Sequence, residues 1–162
     1  MKKIYFVRHA KSSWDDISIT DKERTLNERG QRDAPRMAQF ISDKISCPDA
    51  FICSSAVRTT QTAKIFVSQF EKENLILEDR LYNASEVDWF SVLKNIDASH
   101  ASVMIFGHNP EITNLVNVLA DANIMNMPTC AVAAVNFEME TWKEIMDVEG
   151  KLDFYHFPKG IK

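Results

Sequence analysis

Short runs of apolar residues alternate along the chain with longer stretches in which apolar positions recur at helical spacing. An uninterrupted apolar run predicts a strand buried on both faces, whereas recurrence every three to four residues predicts a helix with one buried side. Such runs lie at residues 4–7, 50–53 and 103–106, a shorter run at 75–77 predicts a third strand, and the helical spacing spans residues 34–45, 56–70, 89–96 and 112–119.

Residues at the expected helix starts support these boundaries. Asn27, Ser85 and Asn109 precede three of the helical stretches, and their side chains are among those that cap helix N-termini. Pro110 follows Asn109 and fits the first helical position, where a missing N–H costs nothing. Pro35 is expected to start or kink the first helix.

Two segments do not follow the alternation. Residues 9–27 are polar and have no clear period, which is typical of a long functional loop. The tail is rich in strand-forming residues: residues 132–137 predict a strand, and residues 142–148 and 154–157 are further strand candidates.

Strands followed in turn by helices, with no polar alternation in the strands, indicate an α/β fold. We predict a three-layer α/β/α sandwich with a mainly parallel central sheet, formed by a single domain over residues 1–162. Folds of this class bind ligands outside the carboxyl ends of their strands. The polar residues that follow each strand are therefore the candidate site.

Composition limits the class of protein and the partners that it can have. The 162 residues are 45% hydrophobic and 26% charged, which excludes a disordered, collagen-like or coiled-coil chain. The net charge of −4 argues against nucleic acid as a partner, and no apolar run approaches the length of a membrane span. The three cysteines lack C-x-x-C spacing, which gives little support for a zinc or redox site. Free thiols without a signal peptide predict a cytoplasmic protein.

Two arginines and two histidines follow three different strands. Arg8 and His9 come directly after the first strand, Arg58 lies five residues beyond the second, and His108 follows the fourth. Arginine grips two phosphate oxygens through its planar fork, and a neutral histidine is a nucleophile near pH 7. Because parallel strands end at one edge of a sheet, the four residues together predict phosphoryl transfer.

The roles within this set follow from position. His9 is the better nucleophile candidate, because Arg8 is its neighbour and nearby guanidinium charge keeps the imidazole neutral. His108 precedes a helix N-terminus, which favours an anion, and is expected to donate to phosphoryl oxygens. Either histidine taken alone is more often a packing residue, so the prediction rests on the coincidence of all four.

Four ordered motifs resemble the histidine phosphatase superfamily, the phosphoglycerate-mutase-like enzymes. They are residues 7–14 (VRHAKSSW), 21–30 (DKERTLNERG), 54–63 (SSAVRTTQTA) and 107–110 (GHNP). Their wording and the short chain are similar to the SixA-type phosphohistidine phosphatases.

The resemblance implies that His9 takes up the phosphoryl group as a covalent phosphohistidine. Arg8, Arg58 and His108 form the phosphate pocket, and water then releases inorganic phosphate without a metal or other cofactor. The substrate is expected to be a phosphorylated protein of the histidine phosphotransfer type, or else a small phosphate ester. Further candidates for binding phosphate or substrate are Ser12, Asn109, Arg24 and Trp14.

Three positions qualify the resemblance. Ala10 stands where the family usually has Gly, so a positive φ there would strain the backbone. Asp15 stands where many members carry Asn, and we do not expect its carboxylate to bind phosphate. The general acid of mutase-like members is a Glu after the third strand, for which Glu86 is the candidate here. An acid in the first turn of a helix is also an ordinary cap or dipole residue.

Two alternative functions remain open for the same residues. One is a small-molecule phosphomonoesterase acting on a phosphosugar or nucleotide, and the other is a phosphoprotein-binding module that turns over slowly or not at all. The sequence contains no motif for the other phosphatase, nucleotide-binding or hydrolase mechanisms considered. Cys53 and Arg58 have four residues between them, not the five of a cysteine phosphatase, and neither a P-loop nor a G-x-S-x-G elbow is present.

Overall fold

A six-stranded mixed sheet with four helices forms the protein, as a computed structural model describes it for residues 1–161. The strands are β1 (Lys2–Arg8), β2 (Ala50–Cys53), β3 (Ile76–Leu77), β4 (Ser102–Gly107), β5 (Val132–Phe137) and β6 (Lys151–His156). The helices are α1 (Glu28–Ser42), α2 (Val57–Gln69), α3 (Glu86–Lys94) and α4 (Glu111–Ala120).

The strand order is β3-β2-β4-β1-β5-β6. The pairings β2–β3, β2–β4 and β1–β4 are parallel, whereas β5 pairs antiparallel with both β1 and β6. The α/β fold and mainly parallel sheet predicted from the sequence are therefore confirmed, with the tail closing one side as an antiparallel pair. Arg8 lies opposite Gly107 and Cys53 opposite Phe106, so the chain leaves all three strands at one edge.

Each face of the sheet carries its own apolar layer. On one face, α3 and α4 pack through residues such as Trp89 and Ile112 against Ile4 and Phe6 of β1. On the other, α1 and α2 pack through residues such as Met37 and Phe66 against Tyr5 and Val7. Neighbouring residues of β1 thus point into different layers, as the pleat of a strand requires. These layers hold the strand ends rigidly beneath the site.

The predicted helix caps are largely present. The Asn27 side chain accepts from the Gly30 N–H at 2.9 Å, and Ser85 forms a capping box with Asp88. The fourth helix begins one residue later than predicted, with Pro110 in the capping position and Glu111 as the first helical residue.

Pro35 lies inside α1 and does not start it. Gly30 is required in the first turn of the same helix, because a Cβ there would overlap the carbonyl oxygen of Lys11. That close approach fixes α1 against the long loop after β1.

The tail differs from the prediction at one segment. Residues 142–148 do not form a strand: Trp142–Glu144 is a 3₁₀ turn whose capping box joins Thr141 to Glu144. Trp142 is buried and donates from Nε1 to the His100 carbonyl at 3.1 Å, so its apolar character reflects packing of a turn. The other tail candidate is nearly matched by β6. Within residues 1–161, no helix has the length and hydropathy needed to cross a membrane.

Candidate active site

A cavity of about 310 Å³ opens at the edge where β1, β2 and β4 end. All four residues predicted to act on phosphate line it, together with ten further residues. The lining comprises Arg8, His9, Lys11, Ser12, Trp14, Asp21, Arg24, Arg58, Tyr82, Asn83, His108, Asn109, Glu111 and Thr129.

His9 is held in one tautomer by its own loop. Its Nδ1 lies 2.8 Å from the Ala10 carbonyl oxygen, and because a carbonyl only accepts, Nδ1 carries the proton. Nε2 therefore keeps a free lone pair. Burial, together with the charges of Arg58 and Arg8, lowers the pKa of His9 to about 3. The imidazole is neutral at physiological pH and is suited to act as a nucleophile through Nε2.

His108 lies beside His9, with 5.2 Å between the ring centroids. Its Nδ1 accepts from Nη2 of Arg58 at 3.4 Å, which places the ring proton on Nε2. Nε2 then donates to Ser54 Oγ at 2.8 Å and lies 3.3 Å from Thr59 Oγ1. Burial first, and then the Arg58 charge, lowers the pKa of His108 to about 4. His108 is thus a neutral ring that Ser54 orients.

Arg58 reaches the cavity from the first turn of α2 and is steadied by Asp21. Its Nη1 donates to the Asp21 carbonyl at 2.7 Å and its Nη2 to the Asp21 carboxylate at 3.1 Å. Tyr82 donates to the same carboxylate oxygen at 2.7 Å. Although burial acts in the opposite direction, the hydrogen bonds from Tyr82 and Arg58 keep the pKa of Asp21 below its usual value. Asp21 is accordingly an ionised partner that positions Arg58.

The guanidinium groups around the cavity include buried N–H donors that form no hydrogen bond with the described residues. Arg8 uses Nη1 to bind the Met127 carbonyl at 2.8 Å, and Arg24 lies 3.3 Å over the ring of Trp14. Nε of Arg8, Nε of Arg58 and Nη1 of Arg24 are buried without a hydrogen-bond partner within residues 1–161, and Nε of Arg24 has only an ion-pair contact, 3.3 Å from Asp21 Oδ1. Buried donors without partners are costly, and the oxygens of a phosphate would satisfy them.

Asn109 lines the cavity, but its side chain is committed elsewhere. Its Nδ2 donates to Asn126 Oδ1 at 2.7 Å and to the Met127 carbonyl at 3.0 Å, while its Oδ1 accepts from Thr113 at 2.7 Å. The role of Asn109 in binding phosphate or substrate stays a prediction, and these bonds leave neither N–H of its amide free. Asn109 also binds the Met127 carbonyl that accepts from Arg8.

The other candidates in the loop after β1 take different positions. Ser12 is buried in the lining, and Trp14 borders the cavity with 69% of its surface exposed. Ala10 has no positive φ, so the departure from Gly costs no strain; its N–H donates to Thr62 Oγ1 at 2.9 Å. Asp15 is exposed and lies outside the lining.

Glu86, the candidate general acid, does not line this cavity. It is exposed in the first turn of α3 and borders separate surface grooves with Phe90 and Met146. Since a general acid must reach the leaving group, this placement does not support the role. The first turn of α3 follows Tyr82 and Asn83, and only those earlier residues enter the lining.

The lining also contains polar residues that sequence reasoning did not single out. Lys11 stands in the first family-like motif and Asp21 in the second, so both were detectable there, whereas Tyr82, Asn83 and Thr129 lie outside all four motifs. Glu111 directly follows GHNP, where an acid in a first helical turn looks ordinary. No cluster of three or more His, Cys, Asp or Glu in the described part of the chain is arranged to hold a metal ion.

A family model decides the assignment. The model of the histidine phosphatase superfamily (branch 1) matches residues 4–91, which is more than half of the chain. The chain belongs to the histidine phosphatase superfamily. The resemblance stated from the four motifs is thereby confirmed.

Sequence relatives of this histidine phosphatase extend over nearly all of it. An uncharacterized chloroplastic protein of Arabidopsis thaliana is 29% identical over 159 residues, covering 92% of this chain and 72% of its own. An uncharacterized protein of Mycobacterium tuberculosis is 26% identical over 164 residues, covering 94% of this chain and 100% of its own.

Solved structures share the fold along the whole chain. A candidate phosphohistidine phosphatase SixA from Agrobacterium tumefaciens is 25% identical, with a TM-score of 0.83 and coverage of 97% of this chain and 98% of that one. The protein histidine phosphatase SixA complexed with tungstate has a TM-score of 0.83 at 19% identity, covering 99% of each chain. Family and structures together support a phosphatase, a hydrolase of phosphoryl bonds.

Proposed function

We propose that this histidine phosphatase removes phosphoryl groups from phosphohistidine on a protein, through a covalent intermediate on His9. The observation that carries the proposal is the environment of His9: a neutral ring whose protonated Nδ1 binds the Ala10 carbonyl and whose Nε2 lone pair is free. Around it stand the buried, unpartnered guanidinium donors of Arg8, Arg24 and Arg58.

Two displacements at phosphorus make up the reaction. In the first, Nε2 of His9 forms a bond to phosphorus, and the bond from phosphorus to the leaving atom breaks with its electron pair on that atom. In the second, a water oxygen bonds to phosphorus and the electron pair of the P–N bond returns to Nε2, which releases inorganic phosphate. Arg8 and Arg58 hold the non-bridging oxygens, because positioned positive charge supplies most of the catalysis of phosphoryl transfer.

His108 completes the phosphate pocket in this proposal. In the structure its Nδ1 accepts from Arg58 and its Nε2–H is committed to Ser54. Uptake of a proton at Nδ1 when a phosphate dianion enters would turn that nitrogen into a second donor toward the phosphoryl group. This step requires Arg58 to release Nδ1 and turn to the phosphate.

The choice of phosphohistidine rests on structural likeness. The SixA structures match with a TM-score of 0.83 over nearly the whole chain, whereas a mycobacterial glucosyl-3-phosphoglycerate phosphatase matches with 0.72 at 13% identity. The second likeness keeps a small phosphate ester as the alternative substrate class. No metal is required, because guanidinium groups provide the charge at the pocket.

A competition assay tests the substrate class. Purified protein is mixed, in EDTA, with a protein carrying phosphohistidine and with a panel of sugar and nucleotide monophosphates, and the release of phosphate is timed. We expect rapid turnover of the phosphohistidine and little of the monoesters. Preference for a monoester would overturn the substrate assignment, and loss of activity in EDTA would overturn the metal-free mechanism.

His9→Ala tests the nucleophile. The variant should lose turnover by at least about 10³-fold, because no other group supplies the lone pair, and should form no acid-labile phosphoenzyme. His100→Ala is the matched control, since His100 lies outside the cavity lining, and it should retain full activity. Substantial turnover by His9→Ala would refute the covalent route, and phosphate binding by an inactive wild type would favour the binding module.

A further inference from the structure

Two carboxyl groups line the catalytic cavity, and their surroundings differ sharply. The Asp21 carboxylate is occupied by Arg58 at 3.1 Å and by Tyr82 at 2.7 Å. Oε2 of Glu111, in contrast, is buried and has no hydrogen-bond partner among the described residues. A buried carboxyl oxygen without a partner is costly in a folded protein. Such an orphan at a reaction site is expected to have a functional reason.

Glu111 is fixed to the segment that carries His108. It is the first residue of α4, and the next residue, Ile112, donates its N–H to the His108 carbonyl at 2.9 Å. Asn114 N–H binds the Pro110 carbonyl at 3.1 Å and continues the turn. The carboxyl therefore sits on a rigid helix start beside the phosphate pocket, which suits a group that must hold its position during reaction.

A phosphatase with a histidine nucleophile needs two proton movements. The leaving atom gains negative charge as its bond to phosphorus breaks, and the attacking water must later lose a proton. Tied to Arg58 and Tyr82, Asp21 is unsuited to either task, and Glu86 is not in the cavity lining. Glu111 is the carboxyl of the lining with a free oxygen.

We propose that Glu111 is the acid–base residue of this enzyme, an assignment that rests on the covalent route through His9. In the first displacement, the Glu111 carboxyl gives its proton to the leaving nitrogen or oxygen while phosphorus moves to Nε2 of His9. In the second, the resulting carboxylate takes a proton from the water that attacks phosphorus, while the P–N electron pair returns to His9. Each turnover thus restores the starting carboxyl.

A proton donor matters most for a poor leaving group, because a more basic leaving atom must gain a proton as its bond to phosphorus breaks. Glu111 would therefore serve substrates with poor leaving groups more than those with good ones.

Glu111→Gln tests the assignment, because it nearly preserves size but replaces the ionisable carboxyl with an amide that cannot act as a general acid or base. We expect acid-labile phosphate to accumulate on His9 after mixing with p-nitrophenyl phosphate, with steady-state turnover lowered by about 10²- to 10³-fold. Across aryl and alkyl phosphates, the rate of His9 phosphorylation should fall more steeply with leaving-group basicity than in the wild type. Glu111→Asp should recover part of the loss.

Glu28→Gln is the matched control, since Glu28 is likewise the first residue of a helix but is exposed and outside the cavity lining. It should behave as the wild type in both assays. A Glu111→Gln enzyme that keeps the wild-type phosphoenzyme lifetime and leaving-group dependence would overturn the assignment. If His9→Ala is inactive in the same experiment, the covalent route survives that result; if His9→Ala stays active, the route itself fails.

Discussion

Two sets of arginines in this phosphatase meet opposite electrostatic surroundings. One set, on α1, surrounds Asp33: the side chains of Arg29, Arg32 and Arg36 are 43%, 64% and 44% exposed, and the carboxylate is 2% exposed. The other set lines the cavity and is buried where the first is exposed, with the side chains of Arg24 and Arg58 at 9% and 7%.

The two sets differ in which groups satisfy their guanidinium N–H donors. In the α1 set, the three guanidinium groups lie 3.2 to 3.7 Å from Asp33 and their other donors reach water. In the cavity set, Asp21 takes only part of the donors, and several buried N–H groups have no partner within residues 1–161. The α1 set is electrostatically complete as it stands, whereas the cavity set keeps buried donors that the proposed phosphoryl group would satisfy. Charge count alone does not distinguish them.

Arg58→Ala against Arg32→Ala is the strongest test of this contrast. Removal of Arg58 should lower kcat/KM by on the order of 10³-fold, about 4 kcal/mol of transition-state stabilisation, because a buried bidentate donor is lost. Arg32→Ala should change kcat/KM less than twofold. Steady-state kinetics with one phosphohistidine substrate measures both variants. Equal effects of the two substitutions would erase the distinction between the sets.

Acid should lower the free energy of unfolding, because two neutral histidines are buried among the arginines of the cavity. The pKa of His9 is lowered to about 3 and that of His108 to about 4, against about 6.5 unfolded. Below pH 6.5 the unfolded chain takes up protons that the folded chain refuses, so the free energy of unfolding falls as pH falls. Each histidine contributes up to about 1.4 kcal/mol per pH unit until the folded pKa is reached.

Urea unfolding between pH 7 and 5.5 measures this dependence, with an expected total loss of about 2 to 3 kcal/mol. His9→Gln should flatten the slope, because one of the two buried rings with a lowered pKa is removed. Saturating phosphate at pH 5.5 should recover stability, because the anion binds only the folded chain. A stability that stays level over this range would mean that both rings protonate normally in the folded protein.

The sequence predicted the parts of the site that lie next to one another along the chain. Arg8 and His9 follow an uninterrupted apolar strand and GHNP follows another, so the rule for parallel strand ends was enough to join them. The four apolar runs likewise predicted the parallel strands, although the two-residue β3 is an exposed edge. Local pattern sufficed wherever a strand delivered its residue directly to the sheet edge.

Long-range contacts were beyond that reasoning. Asp21 meets Arg58 across 37 positions, and the Asn109 side chain binds the Met127 carbonyl 18 positions further along the chain. Glu86 and Glu111 are both first-turn acids, and local pattern cannot tell which helix start opens into the cavity. The strand predicted at residues 142–148 was wrong for the same reason, because the burial of Trp142 against His100 is a tertiary contact.

Asp33→Asn tests the arginine set on α1, and its effect should be the smallest of the predicted effects. The amide keeps the shape of the buried carboxylate but removes the charge that balances three arginines. Since those arginines are largely exposed and screened by solvent, we expect a loss of only about 1 kcal/mol in the free energy of unfolding. The loss should shrink in high salt, and kcat/KM should stay within twofold of the wild type. A fall in kcat/KM without loss of stability would show that the α1 set acts on the cavity, so that completeness of charge would no longer separate structural from catalytic arginines.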